Sequence, residues 1–143
     1  MYSILVFPLI SGLIAQISKL IFRTNGKKLH LENILSYSGM PSGHTAMVIS
    51  LATIIGLEQG LDSPLFALSL IFALIVIRDA VGIRRYLGQH GATLNTLVKD
   101  LDEDEMLDKS YPLLLERIGH TPLQAIVGGL IGFFVSWLGY LFL

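Results

Sequence analysis

Apolar and polar positions alternate along this chain in blocks that predict about four membrane-length helices. The first block, Tyr2–Phe22, is long enough to cross a hydrocarbon layer of roughly 30 Å. It has no basic leading region and no small-residue cleavage site, so it reads as a retained helix rather than a removable signal. Pro8 is a place for it to bend. A polar stretch follows, with Asn25-Gly26 as a turn and Leu29–Leu35 patterned as a short interfacial helix. The second block runs from Pro41 to Leu57. Pro41 has a fixed φ and lacks an amide, which predicts it as the first helical residue. Gly60 to Pro64 is a tight connection, with Ser63 as N-cap and Pro64 as the opening residue of the third helix. That helix runs to about Gly82, and a helical pattern with mixed polarity continues from Ala80 to Leu101. Asp100–Asp108 reads as a solvated acidic linker. It is no calcium loop, because Glu105 stands where the turn glycine is needed. Pro122 opens the last block, which ends at Leu143 and carries Gly128-x-x-x-Gly132, a spacing that lets helices approach closely.

Composition strengthens this picture. The chain is 52% hydrophobic and 15% charged, against about a quarter charged for soluble domains. The expected fold is all-α: one integral membrane domain over residues 1–143, a polytopic helical bundle. Its spans are about 2–22, 41–57, 64–82 and 122–143, and its polar loops 23–40 and 83–121 lie on one face. There are no cysteines, which excludes disulfides and thiolate chemistry. All ten Lys and Arg residues fall on the loop-bearing face, while the short connection between the second and third spans carries only Glu58 and Asp62. The positive-inside rule therefore puts the charged face in the cytoplasm and both termini outside, as expected for a plasma-membrane protein.

The charged face also holds the residues with chemistry. Pro41-Ser42-Gly43-His44 combines a helix start, a hydroxyl, a flexible glycine and an imidazole, which together suit a phosphate. Alone, the four residues are better read as a helix start with an incidental histidine. Two Gly-His-Thr triplets, 43–45 and 119–121, each precede an apolar helix on the same face. Paired histidines fit two-step phosphoryl transfer, one attacking phosphorus and the other protonating the leaving oxygen. Lys19, Arg23, Arg84 and Arg85 are the cations available to neutralise the phosphate oxygens.

These residues carry a resemblance. Ser38-Gly39-Met40-Pro41-Ser42-Gly43-His44, Asp62-Ser63-Pro64, Asp79-Ala80-Val81-Gly82-Ile83-Arg84-Arg85, Leu94-Asn95 and Gly119-His120-Thr121-Pro122 resemble the divergent branch of the type 2 phosphatidic acid phosphatase superfamily. That superfamily includes lipid phosphate phosphatases and vanadium haloperoxidases. The resemblance implies a reduced phosphatase core. His44 would be the general acid, Ser42 and Gly43 phosphate contacts, and His120 the nucleophile. Lys19 and Arg23 stand at the first motif with a shortened spacing. Arg117 is too close to His120 to match the third-motif arginine, so Arg84 or Arg85 substitutes. The family's aspartate, four residues after the nucleophile, is here Gln124. Asp79 is the candidate replacement carboxylate, with Glu116 behind it.

The expected function is metal-independent and cofactor-free hydrolysis of a lipid phosphomonoester or pyrophosphate, such as phosphatidylglycerophosphate or a polyprenyl phosphate, through a phospho-histidine. A non-catalytic binder of anionic lipids is the alternative. The expected partners are the lipid substrate and the bilayer, with no nucleic acid; an oligomer is left open.

Overall fold

Short polar side chains set where three of the helices begin. In the computed structural model, which describes residues 2–23, 39–103, 113–116 and 118–142, all regular structure is helical. The helices are α1 (Ser3–Arg23), α2 (Gly43–Gln59), α3 (Pro64–Val81), α4 (Ile83–Glu103) and α5 (Pro122–Leu141). Ser63 caps α3 through Phe66 N, with Pro64 in the first turn, and Thr121 caps α5 in a reciprocal capping box with Gln124. The start of α2 differs from the sequence expectation. Ser42, not Pro41, is its boundary: the Ser42 hydroxyl accepts from Thr45 N, and helical geometry begins at Gly43. A hydroxyl that satisfies a first-turn amide is a stronger stop than proline's missing one.

The four apolar blocks become α1, α2, α3 and α5. α1 continues through Pro8 without interruption. The mixed-polarity stretch is α4, joined to α3 through Gly82. α4 extends through Glu103, so Asp100 and its neighbours are helical where a linker was expected. Leu29–Leu35 and the remainder of the acidic stretch lie outside the described residues.

α2 is the central helix, packed against α1, α3 and α5. Its contact with α5 is built on two matching stripes of small residues. Gly128 faces the Ser42 backbone, Gly132 faces Ala46 O, and Ser136 Oγ lies 2.6 Å from Ser50 Oγ. Both stripes ascend together at four-residue steps, so α2 and α5 run parallel and nearly backbone to backbone. On the other side Ser11 Oγ of α1 donates to Ala46 O at 3.2 Å. Small side chains let the helices approach until dispersion and buried hydroxyl bonds hold them. The large apolar side chains point outward instead: Leu68, Ile71, Phe72 and Ile75 on α3, and Phe133, Phe134 and Trp137 on α5, are exposed. Two helical stretches, Pro64–Leu101 and Pro122–Leu141, are long and apolar enough to cross a membrane, and Ser3–Lys19 is a shorter apolar helix.

Candidate active site

Because α2 and α5 are parallel and in register, their first turns meet at one end of the bundle. Ser42 N donates to Gln124 O at 3.1 Å, and His120 N donates to Ala80 O at 2.9 Å, so the end of α3 joins them. Lys19 comes from the last turns of α1 and is only 6% exposed. The charges of Arg84, Lys19 and Asp79 all act on His44, and those of Lys19 and His44 act on His120. Residues scattered from position 19 to 120 thus come within electrostatic range of one another at one end of the bundle.

His44 is exposed and His120 is 5% exposed, so the first is open to its surroundings and the second is enclosed by the protein. Burial lowers the pKa of His120 below its ordinary 6.5, and the Lys19 charge lowers it further; the Gln124 side chain opposes this, the His44 charge adds to the lowering, and the Gly39 backbone opposes it. His120 is therefore a free base at neutral pH, the form a nucleophile needs. In the first turn of α2, Thr45 N is satisfied by Ser42 Oγ at 3.4 Å. The amides of Gly43 and His44 have no acceptor among the described residues, which leaves two donors at the positive end of the helix.

Three site residues take roles that the sequence did not predict. Ser42 is fully buried. Its N–H is engaged by Gln124 O, and its hydroxyl accepts from Thr45 Oγ1 at 3.0 Å. It holds the helix start. Asp79 accepts from Arg84 Nε at 2.6 Å, while His120 Nδ1 is buried without a hydrogen-bond partner among the described residues. Asp79 therefore does not orient His120; it fixes Arg84 and acts electrostatically on His44. Arg85 lines the adjoining cavity, and its backbone abuts Gly119, the residue before His120. Gln124 Oε1 accepts from Thr121 N at 2.9 Å and serves the helix cap. The side chain of Arg23, and Arg117, lie outside the described residues.

Two contributions were not visible in the sequence. The Gln16 carboxamide packs on Gly43, 3.6 Å from where a methyl there would lie. The segment leading to His120 is held on α4 by Gly88, Gly91 and Asn95. A methyl at Gly88 would strike Glu116 O, and one at Gly91 would lie 2.9 Å from Leu115 O. Asn95 Oδ1 accepts from Leu114 N at 2.9 Å, and its Nδ2 donates to Leu114 O at 2.9 Å and to Glu116 Oε1 at 2.8 Å. Farther along, Gly119 takes a φ of +86°, and a methyl there would lie 2.5 Å from Arg85 N, so both the backbone and the close approach call for glycine. The only sequence signal was the 3,4 spacing of Gly88, Gly91 and Asn95 on one helix face. Asn95→Ala is expected to lower the unfolding midpoint in detergent by releasing the segment that leads to His120. Asn95→Asp should fail to restore it, because a carboxylate cannot donate to Leu114 O and repels Glu116. Thermal unfolding of both variants checks this.

Beside the histidines lies a cavity of about 870 Å³ between α2, α3 and α5. Its apolar walls include Ile49, Leu74, Ile77, Ala125 and Ile126, and Arg78 and Arg85 stand among them. Thr45 and Pro122, one and two residues beyond the histidines, also line it, so it adjoins the site.

A membrane-type helical bundle with two histidines and a basic cluster at one end is the class of protein defined by this fold and site. The sequence pattern of the "Divergent PAP2 family" matches residues 2–135, and the chain belongs to that family. It is 37% identical over 152 aligned positions to the "Uncharacterized membrane protein YuiD" of Bacillus subtilis (strain 168), with 96% of each chain covered. No solved structure matches the chain.

Proposed function

We propose that this protein is a membrane-embedded lipid phosphate phosphatase acting through a phospho-histidine. The observation that carries the reading is the meeting of His44 and His120, from the starts of two parallel helices, beside Lys19 and Arg84. In this reading the phosphate sits against the Gly43 and His44 amides, and Lys19 and Arg84 neutralise its oxygens. His120 attacks phosphorus, the bond to the lipid oxygen breaks, and His44 gives that oxygen its proton. Water then attacks the phospho-histidine, with His44 taking the water's proton, and phosphate leaves. The lipid chain occupies the adjoining cavity.

α1, α2, α3 and α5 all cross the bilayer in this proposal. The outward apolar surfaces of α3 and α5 and the relative's description as a membrane protein support membrane insertion. The clustering of cations at the histidine end supports a cytoplasmic site at the plasma membrane. Reactivity of a cysteine introduced at Lys28 only toward an external reagent would overturn that orientation.

A non-catalytic binder of anionic lipids is the second reading. It is favoured by the Nδ1 of His120, which has no hydrogen-bond partner among the described residues, and by the use of Gln124 as a cap. Incubating the detergent-purified protein with a panel of labelled lipid phosphates separates the two. Released phosphate, with an acid-labile adduct on His120, supports the enzyme; tight binding with no release supports the binder.

The pH profile adds a check. Because His120 must be neutral to attack and its pKa lies below 6.5, kcat/KM should fall on the acidic side as pH drops through that lowered value, with a separate fall on the basic side where His44 loses the proton it donates. Lys19 is one cause of the lowering, so Lys19→Gln should move the acidic limb toward higher pH.

A further inference from the structure

We propose that Gly129 is a specificity-determining residue: having no side chain, it keeps open the deep end of the cavity beside the histidines and so sets how far a hydrocarbon chain on the phosphate can reach. The inference rests on the phosphatase reading for the placement of the chain in that cavity, and it adds the residue that selects among chains. The cavity wall on α5 is Pro122, Ala125, Ile126 and Gly129, spaced so that they share one helix face. Pro122 lies two residues beyond His120, and Gly129 lies roughly 10 Å deeper along the helix. On α2 the wall is Thr45, next to His44, and Ile49 one turn deeper. α3 ends at the histidines, where Ala80 O accepts from His120 N, so Leu74 is its deepest lining residue. Ile49, Leu74 and Gly129 therefore bound the deep end. Leu74 is 56% exposed, so a chain longer than the cavity leaves sideways past it into the bilayer.

Packing and backbone geometry among the described residues do not call for glycine at this position. A methyl at Gly128 would strike Ser42 O, and one at Gly132 would strike Ala46 O, so close contact with α2 accounts for those two. At Gly129 a methyl would meet Ile49 Cγ1 at 3.5 Å and Thr45 Cγ2 at 3.6 Å, which are ordinary van der Waals distances. The residue lies inside α5 and is not one of the glycines with positive φ. Inside a helix, glycine is less favourable than alanine. What glycine supplies at 129 is space. Both atoms that a methyl would meet belong to residues lining the cavity. A side chain longer than a methyl would therefore run into the cavity and take the room that the end of a bound chain needs.

Equilibrium binding in detergent, on a His120→Ala background that prevents turnover, tests this with octyl phosphate against ethyl phosphate. The two probes share a head and differ only in how deep their chains reach. Octyl phosphate should bind more tightly, and Gly129→Leu should reduce that preference ratio about tenfold, the worth of roughly two methylenes displaced from apolar contact. Gly129→Ala should reduce it less. Partition of the octyl chain into detergent is common to all the proteins and cancels between them. Ile49→Phe, which fills the same end of the cavity from α2, supplies the same reading if Gly129→Leu does not fold. A ratio unaltered in folded Gly129→Leu overturns the inference and leaves Gly129 as one of the glycines common in membrane helices. Release of phosphate from lipid phosphates by the wild type, accompanied by an unaltered ratio, would overturn this inference alone. A ratio that falls as expected, with no release by the wild type, would overturn the phosphatase reading and leave chain selection standing.

Discussion

Alanine at His120 is expected to abolish phosphate release from lipid phosphates, and alanine at His44 to slow it by about 10²- to 10⁴-fold. The two losses differ in kind. Without His120 there is no group to take the phosphoryl, so no acid-labile adduct should form with any substrate. Without His44 the first bond can still break if the leaving oxygen needs no proton. The His44→Ala defect should therefore shrink for a phosphate ester with an acidic leaving group, while the His120→Ala defect should not. Adduct formation by His44→Ala with such an ester, followed by slow release, would match His44's second task of activating water. A similar defect for both leaving groups would remove His44 from the general-acid role. The missing carboxylate bears on the absolute rate. In a serine protease, loss of the aspartate behind the catalytic histidine costs about four decades, and His120 Nδ1 has no acceptor among the described residues. Slow turnover by the wild type is thus expected, and the variants are to be judged against that rate.

Gly132→Ala should destabilise the bundle by about 1–3 kcal/mol, while Gly129→Ala should be neutral or stabilising. Both residues lie inside α5, where alanine gains about 1 kcal/mol over glycine in helix propensity. What separates them is the neighbour. A methyl at Gly132 strikes Ala46 O and lies 3.0 Å from Ser50 N, both backbone atoms of the central helix. A methyl at Gly129 meets only side-chain carbons, at 3.5 Å from Ile49 and 3.6 Å from Thr45. Backbone cannot rotate away, so α2 and α5 must separate. The Ser50–Ser136 bond, one turn farther along, should be lost with them. Thermal unfolding in detergent, run on the two variants side by side, reads the difference. Because the same contact keeps the histidine-bearing ends in register, Gly132→Ala should also lower activity more than its stability loss alone implies. Equal unfolding midpoints for the two variants would mean that the close packing of α2 on α5 does not govern stability.

The two histidine triplets, the cations on their face and the four apolar blocks could all be read from the linear chain. Hydrophobic run length and the N-cap residues Ser63 and Thr121 report on local backbone physics, which a sequence carries directly. So does the Gly128-x-x-x-Gly132 spacing, which announced close packing without naming the partner. Tertiary structure decided the rest. Whether Asp79 meets His120 or Arg84 depends on where the end of α3 lies against the start of α5, and it meets Arg84. Whether Ser42 touches a ligand depends on what covers it, and Gln124 O and Thr45 do. The hold of Asn95 on Leu114 joins residues 19 positions apart, a separation that no helical periodicity reports. Periodicity and capping are properties of neighbours within a turn or two. The partner of a buried polar atom is set by which distant backbone happens to arrive there, and in this bundle the matching small-residue stripes of α2 and α5 determine that arrival.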